Sequence, residues 1–436
     1  MQKSENMETE KVLLAGVDTG EDESFEQSMN ELASLAEACF YQPVGSVTQT
    51  LPTVNKALCM GSGKVEEVKA AAEEKGAGLV IFDNALTPMQ LRNLQKELGI
   101  AVLDRTGLIL DIFDSRARTR EAKLQVEAAR LKYMLPRLVG LHDALGRQGG
   151  GSGSLSNKGA GEKKLELDRR RIEHRLAFLK RELKEVEKER RTQRKRREGS
   201  RIKKVALAGY TNAGKSTILN GMVSLSGKAE EKKVLEKDLL FATLETSVRK
   251  IEGSDHRDFF LSDTVGFIHK LPHDLIEAFH ATLEEVACAD LVLHVVDFSD
   301  PHYKQQMQVT KDTLVKLGAG DIPVLYVYNK IDLCNWNTPS GFPKEIPGGK
   351  KDSIYLSARN ITDIEKLSEK IKGLLYGEYV TEEFLFPYEN GSLVSFFLQN
   401  FQILNQKYVE NGVHLVVNCH QDDVLQYQNY RVYNME

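Results

Sequence analysis

The chain has 436 residues, 41% of them apolar, with 59 Lys and Arg against 63 Asp and Glu; this suits two to four packed domains and excludes a disordered or collagen-like chain. Mean hydropathy is -0.36, and no run of about 18 uncharged apolar residues is present, so the sequence predicts no membrane-spanning helix. The opening MQKSENMETE lacks the apolar core of a secretory signal, and Cys39, Cys59, Cys288, Cys334 and Cys419 show no CxxC spacing, so a cytoplasmic protein with reduced thiols is expected, without a zinc site or disulfide framework.

Residues 1–115 read as a small α/β domain. KVLLAGV (Lys11 to Val17) and GLVIFD (Gly78 to Asp83) are strand-like runs, and Leu32, Leu35, Ala36 and Phe40 mark a helix between them. GSGK (Gly61 to Lys64) lacks P-loop spacing and reads as a turn before a helix starting at Val65, with a weak second phosphate-site reading beside it. From about Arg116 to Val139, Leu124, Leu131, Leu135 and Leu138 form one apolar seam. A second seam follows at Leu165, Ile172, Leu176, Leu179, Leu183 and Val186, so residues 116–200 are expected to be an antiparallel helical hairpin arm. Its tip, 146–161, has seven glycines among sixteen residues and predicts a mobile, non-helical loop. Residues 163–204 hold 19 Lys and Arg against 8 Asp and Glu, a local +11 that leaves -15 elsewhere. Such a block is the footprint of a polyanion partner or, more simply, a solvated helix of mixed charge.

Strands and helices then alternate over 201–376 as in a doubly wound, mostly parallel α/β domain. Residues 377–436 predict a small α/β cap with a helix around Val394 to Ile403 and a strand at His414 to Cys419. The first strand of the larger domain, VALAG, runs into Gly209, Tyr210, Thr211, Asn212, Ala213, Gly214, Lys215 and Ser216, followed by Thr217. This is GxxxxGK[ST] in the strand-loop-helix setting that a P-loop needs. Backbone N–H groups there curl around phosphates, Lys215 reaches the β and γ oxygens, and Ser216 is placed to ligate Mg²⁺.

FFLSDTVGF supplies Asp263, Thr264, Val265 and Gly266, a DxxG arrangement in which Asp263 holds Mg²⁺ through water and Gly266 senses the γ-phosphate. VLYVYNKID delivers Asn329, Lys330 and Asp332, the last a carboxylate that can accept two hydrogen bonds from guanine N1–H and its exocyclic amine, which adenine cannot offer. SIYLSAR places Ser357, Ala358 and Arg359 where a backbone N–H can meet guanine O6. The four elements in this order predict GTP and GDP as ligands. Between the P-loop and DTVGF, LFATLETSVR supplies the hydroxyls for a switch threonine on Mg²⁺; Thr243 is the first choice and Thr246 the alternative. Lys215, Asn212 and Thr243 are the candidate catalytic residues. Phe267 stands where many regulatory GTPases carry a water-orienting glutamine, so slow intrinsic hydrolysis is expected unless a partner or a metal ion positions the water. Asn212 is a candidate for K⁺-assisted hydrolysis, and a plain loop-former reading stays open.

The set GYTNAGKST, LFATLETSVR, DTVGFIHKLPHDLIEAF, NKID and SAR resembles the HflX family of translational GTPases. The likeness continues upstream through GSGKVEEVK, DNALTPMQLRNL, VLDRTGLILDIFDSRARTREAKLQVEAARLKYMLPRL and LELDRRRIEHR, covering about residues 10–376. It implies a monomeric, nucleotide-dependent factor that binds the large ribosomal subunit and its rRNA, and that splits or rescues stalled or idle ribosomes. The alternative is a GTP-gated RNA- or large-subunit-binding assembly factor without splitting activity. One segment departs from the family: Gly149 to Glu162 reads GGGSGSLSNKGAGE, where members commonly carry GGxGxRGPGE, leaving open a divergent paralogue that mediates antibiotic resistance.

Overall fold

Runs of β-branched and aliphatic residues broken by amphipathic stretches produce alternating strands and helices, in two units that are each described by themselves. The computed structural model describes residues 9–20, 24–147, 155–198, 202–225, 241, 247–253, 257–270, 272, 285–334, 352–377 and 379–432. One unit comprises Met1–Arg196 with the segments Lys237–Glu245 and Val265–Thr282; the other comprises Arg197–Glu236, Thr246–Thr264 and Leu283–Glu436.

The first unit begins β1 (Lys11–Asp18), α1 (Phe25–Ala38), β2 (Gln42–Thr50), α2 (Ser62–Lys75), β3 (Leu79–Phe82), α3 (Pro88–Leu98), β4 (Ala101–Asp104) and α4 (Arg105–Arg116). The strands form a wholly parallel sheet in the order β2-β1-β3-β4. Inner strands of such a sheet are covered on both faces, which is why β1 and β3 are continuous apolar runs rather than alternating ones. Local chemistry sets the helix ends. Thr87 and Gln90 form a reciprocal capping box with Pro88 in the first turn of α3, and Gly76 ends α2 in the left-handed conformation at φ 64°.

Two sequence expectations shift here. GSGK is not a turn ahead of Val65: Gly61 is the N-cap and the helix already runs from Ser62, with Lys64 paired to Glu67 at 2.5 Å. The first helix stops before Phe40, which turns away at φ 63° and is 57% exposed.

Two long helices complete this unit, α5 (Arg120–Arg147) and α6 (Leu155–Glu198). They pair antiparallel, as Arg120 with Glu182 and the two-pronged Arg175–Glu127 pair (2.6 and 2.9 Å) show. On α6 the predicted seam holds from Ile172 onward, with Leu179 fully buried and Ile172, Leu176, Leu183 and Val186 half-buried, while the side chain of Leu165 lies outside the described ones. On α5 the most buried apolar side chains are the smaller Ala122, Val126, Ala128 and Ala129, while the expected leucines are half-buried. The tip expectation is corrected in part. Residues 146–147, the end of α5, and 155–161 are helical rather than loop, because a long helix gains one hydrogen bond for each residue added once it has nucleated, which outweighs Gly146, Gly159 and Gly161. Residues 148–154 lie outside the described residues.

Asp104 anchors this arm. Its two oxygens accept from Gly107 N (2.9 Å), Tyr133 OH (2.7 Å), Leu86 N (3.0 Å) and Arg137 (2.9 Å), joining the end of β4 and the start of α4 to the middle of α5.

The second unit contains β5 (Lys203–Gly209), α7 (Lys215–Leu225), β6 (Ser247–Ile251), β7 (Phe259–Asp263), β8 (Leu291–Asp297), α8 (Tyr303–Lys316), β9 (Val324–Asn329), β10 (Ser353–Tyr355) and α9 (Ile361–Tyr376). Its sheet runs β10-β9-β8-β5-β7-β6, parallel except for β6 against β7. Core residues from the sheet (Leu207, Leu293, Val295, Val327), α7 (Ile218, Leu219, Met222) and α9 (Ile364, Leu367, Ile371) fill one side of it. A separate core, with Phe384, Phe386, Phe397 and Leu415, underlies β11 (Tyr379–Phe386), α10 (Gly391–Asn400), β12 (Gln402–Val409), β13 (Gly412–His420) and α11 (Gln421–Gln426). The three strands are antiparallel in the order β11-β13-β12. The expected helix to Ile403 ends at Asn400 instead, and Ile403 pairs with Val417 in β12.

Candidate nucleotide site

β5 ends in Gly209 and α7 begins at Lys215, so the intervening loop lies at the C-terminal end of a central parallel strand and feeds a helix N-terminus. This is where an α/β sheet leaves a crevice and where backbone donors can face an anion. The loop is tight enough to demand its glycines. A Cβ on Gly209 (φ 155°) would stand 2.3 Å from Val295 O, and one on Gly214 (φ 96°) would stand 2.2 Å from Asn329 Nδ2. Tyr210, Thr211 and Ala213 are buried; Asn212 is exposed and turned into the left-handed region at φ 58°. Thr217 lies half-buried in the first turn of α7.

Lys215 is buried, with Nζ donating to Gly209 O (3.0 Å) and Tyr210 O (2.7 Å), so its ammonium sits inside the curl of the loop. Burial pushes its pKa down to about 8, against a smaller upward pull from Asp263. Ser216 Oγ donates to Asp263 Oδ2 at 2.8 Å, which brings a hydroxyl from α7 and a carboxylate from the end of β7 to one place. A hard oxygen pair of this kind fits Mg²⁺. Thr211 Oγ1, buried in the loop, has no hydrogen-bond partner among the described residues, as a polar atom kept for a ligand would. Thr264 is fixed through Oγ1 to Leu207 O (2.6 Å). Val265 and Gly266 are buried and continue the chain into the segment that packs with the first unit. Thr243 and Thr246 lie outside the described residues.

At the end expected to meet the base, Asn329 closes β9 and joins two loops. Its Nδ2 donates to Ala213 O (2.9 Å), and its Oδ1 accepts from Ala358 N (2.8 Å). Lys330 adopts φ 63° and its Nζ pairs with Asp297 Oδ2 at 2.7 Å. Asp332 stands on a single 3₁₀ turn, Ile331–Leu333, with its carboxylate exposed and available to a base. Ser357 is buried, with its N–H donating to Asp363 Oδ2 (3.0 Å), while Arg359 is exposed beside half-buried Ala358. The backbone donors of Ser357 and Ala358 are therefore engaged within the protein, a detail the motif does not reveal.

Two further groups escaped the sequence reading. Asp297, at the end of β8, faces Asn329 in the parallel register and holds both Lys330 and Ser299. Its signal was a carboxylate ending the strand next to NKID. His294, on the same strand, is held neutral by burial and then by Lys215, its pKa pushed down to about 4. The described residues thus bring together Gly209 to Thr217, Asp263, Thr264, Asn329, Lys330, Asp332 and Ser357 to Arg359 in one unit.

Comparison with known proteins agrees with this geometry. Three family models match in order: "GTP-binding GTPase N-terminal" over 26–114, "GTP-binding GTPase Middle Region" over 116–197, and "50S ribosome-binding GTPase" over 204–330. A GTPase HflX of Caldanaerobacter subterraneus subsp. tengcongensis is 43% identical, covering 92% of this chain and 89% of its own. That of Alkalihalophilus pseudofirmus is 43% identical with 96% of both chains covered, and that of Escherichia coli 38% identical over 88% and 87%. Likeness at this level spans the sheet, the arm and every nucleotide motif at once, so the chain belongs to the HflX family of GTPases and, with it, binds and hydrolyses GTP.

Proposed function

We propose that this GTPase binds the large ribosomal subunit and uses GTP to separate stalled or idle ribosomes into subunits. The observation that carries the reading is one chain holding both a guanine-nucleotide site and a paired helical arm, with a local charge of +11 over 163–204, which takes in most of α6 and the first residues of β5. Lys and Arg on such an arm meet rRNA phosphates, and the matching model's description as a 50S ribosome-binding GTPase supports that partner. GTP acts by stabilising the bound conformation and its hydrolysis ends that state; only binding energy that differs between the two nucleotide states does such work.

In this reading 1–115 and 116–200 reach into the ribosome, 201–376 turns over the nucleotide and 377–436 caps it, in a cytoplasmic monomer. Ser216 and Asp263, with a switch threonine at Thr243, would hold Mg²⁺, which offsets the phosphate charge when bound. Lys215 and the loop donors of Gly209 to Thr217 hold the phosphates, Gly266 senses the γ-phosphate, and Asp332 reads the base, with the Ser357 to Arg359 loop lining it while Asp363 and Asn329 hold the Ser357 and Ala358 N–H groups. Asn212, exposed within the phosphate loop, would help hold K⁺.

The deciding experiment mixes the protein with intact ribosomes and a non-hydrolysable GTP analogue and resolves the products on a density gradient. Free subunits are expected to accumulate with the analogue and not with GDP. Co-sedimentation with intact ribosomes and no free subunits would instead favour a GTP-gated binding factor. That second reading draws on the Gly149 to Glu162 sequence, which lacks the arginine and proline common at the family's tip.

A further inference from the structure

Lys270 follows the Asp263–Gly266 motif by four residues and ends in a charge cluster at the C-terminal edge of the first unit's parallel sheet. Its Nζ donates to Asp83 Oδ2 at 2.8 Å and to Ser28 Oγ at 3.0 Å. Asp83, just past β3 and almost wholly buried, also accepts from Arg105 (2.7 Å) and from Ser28. Arg105 in turn pairs with Glu31 and donates to the backbone carbonyl of His269 at 3.1 Å. Phe241, from the other switch-flanking segment of this unit, packs edge-on against Phe113 at 4.8 Å.

The two cations on Asp83 are not equivalent. The Arg105 side chain is 3% exposed, whereas that of Lys270 is 33% exposed and borders a cavity of about 320 Å³ lined also by Asp18, Thr19, Asn84 and His269. If Lys270 leaves, water takes its ammonium, and Asp83 keeps Arg105 and Ser28. If Arg105 left, a buried carboxylate would lose its buried partner, the costly way to break such a pair. Lys270 is thus the releasable member. Its backbone is also held at φ 55°, a region that non-glycine residues occupy when their surroundings enforce it.

This held lysine lies only four positions past Gly266, the motif's γ-phosphate-sensing N–H, so a shift of Gly266 onto a third phosphate pulls directly on the Asp83 contact. GDP makes no such demand. Resting on the established GTP binding, we propose that Lys270 is a positioning residue that sets the balance between GTP and GDP: its anchorage on Asp83 opposes the γ-phosphate-engaged form of the DTVGF segment.

The test titrates full-length wild type, Lys270→Met and Lys270→Arg with GDP and with a non-hydrolysable GTP analogue in the presence of Mg²⁺. Lys270→Met should bind the analogue about fivefold tighter while GDP affinity stays within about twofold, and Lys270→Arg should remain near wild type. Hydrogen exchange on the wild-type protein supplies a measurement that needs no variant: the analogue, unlike GDP, should raise exchange at Ile268 to Lys270. Equal changes for both nucleotides, weaker analogue binding, or exchange indifferent to the γ-phosphate would each overturn the proposal. Loss of GTP binding itself is told apart, because the wild type would then bind neither nucleotide.

Discussion

Asn329 reaches the phosphate loop with one end of its amide and the Ser357 to Arg359 loop with the other, so the side chain that the NKID motif contributes first is a brace between two loops. Asp332, three residues on, is exposed, and it is the residue proposed above to read the base. Changing Asp332→Asn replaces one acceptor by a donor that faces the guanine donors. GTP affinity should drop by about thirtyfold or more, roughly 2 kcal/mol, while ATP affinity changes little. Competition binding of GTP against ATP checks this; an unchanged preference would move base recognition elsewhere. Residue-scale legibility follows from how local each signal is. Gly209, Gly214, Lys215 and Ser216 announce themselves because phosphate binding needs them at fixed spacing in one loop. Asp297, Asp83 and Asp104 do not, because their partners are brought to them by strand register and helix packing over separations that no short pattern records.

At the scale of elements, the arm was readable as two helices because apolar residues repeat by sevens, fours and threes, and the Arg175–Glu127 pairing agrees with an antiparallel match, but on α5 the buried face falls on Ala122, Val126, Ala128 and Ala129 rather than on the leucines. Its surface pairs are exposed and each contributes little, so packing around Val126 and Leu179 does more to hold the hairpin than its charges do. What the pattern could not settle was where α6 begins, since glycine content argues against helix residue by residue while propagation favours it over the whole length. If the arm binds rRNA, converting Arg194, Lys195, Arg196 and Arg197 to Gln should weaken ribosome binding and flatten the slope of log affinity against log salt by up to about 3.6, at roughly 0.7–0.9 for each phosphate no longer neutralised. Sedimentation binding across a salt series tests this, and an unchanged slope would mark the run as a solvated face.

For the whole molecule, the chain passes from one unit to the other between Thr264 and Val265, inside the DxxG motif of Asp263 to Gly266. Phe267, just beyond it, is 2% exposed and carries no polar atom to orient water. A large-subunit interaction that supplies the missing positioning should therefore stimulate GTP turnover by at least about tenfold. Phosphate release measured with and without purified large subunits tests this, and an absence of stimulation with nucleotide binding intact would send the search to another RNA. The division into alternating α/β segments was legible along the chain, whereas the assignment of 265–282 to the first unit was not, because it depends on packing between residues far apart in sequence.

Pro136 sits in α5 between Tyr133 and Arg137, the two side chains clamped on Asp104. Proline removes one rung of the helical ladder, so the clamp falls where the rod is weakest. Asp104 then acts as a fulcrum. Beyond Arg137 the helix overhangs by about ten residues, or ~15 Å, and a tilt of about ten degrees at that point swings its end by only ~3 Å. The end of α5 is therefore carried on a short lever, aimed by the domain that holds its fulcrum rather than by a swivel at Arg120.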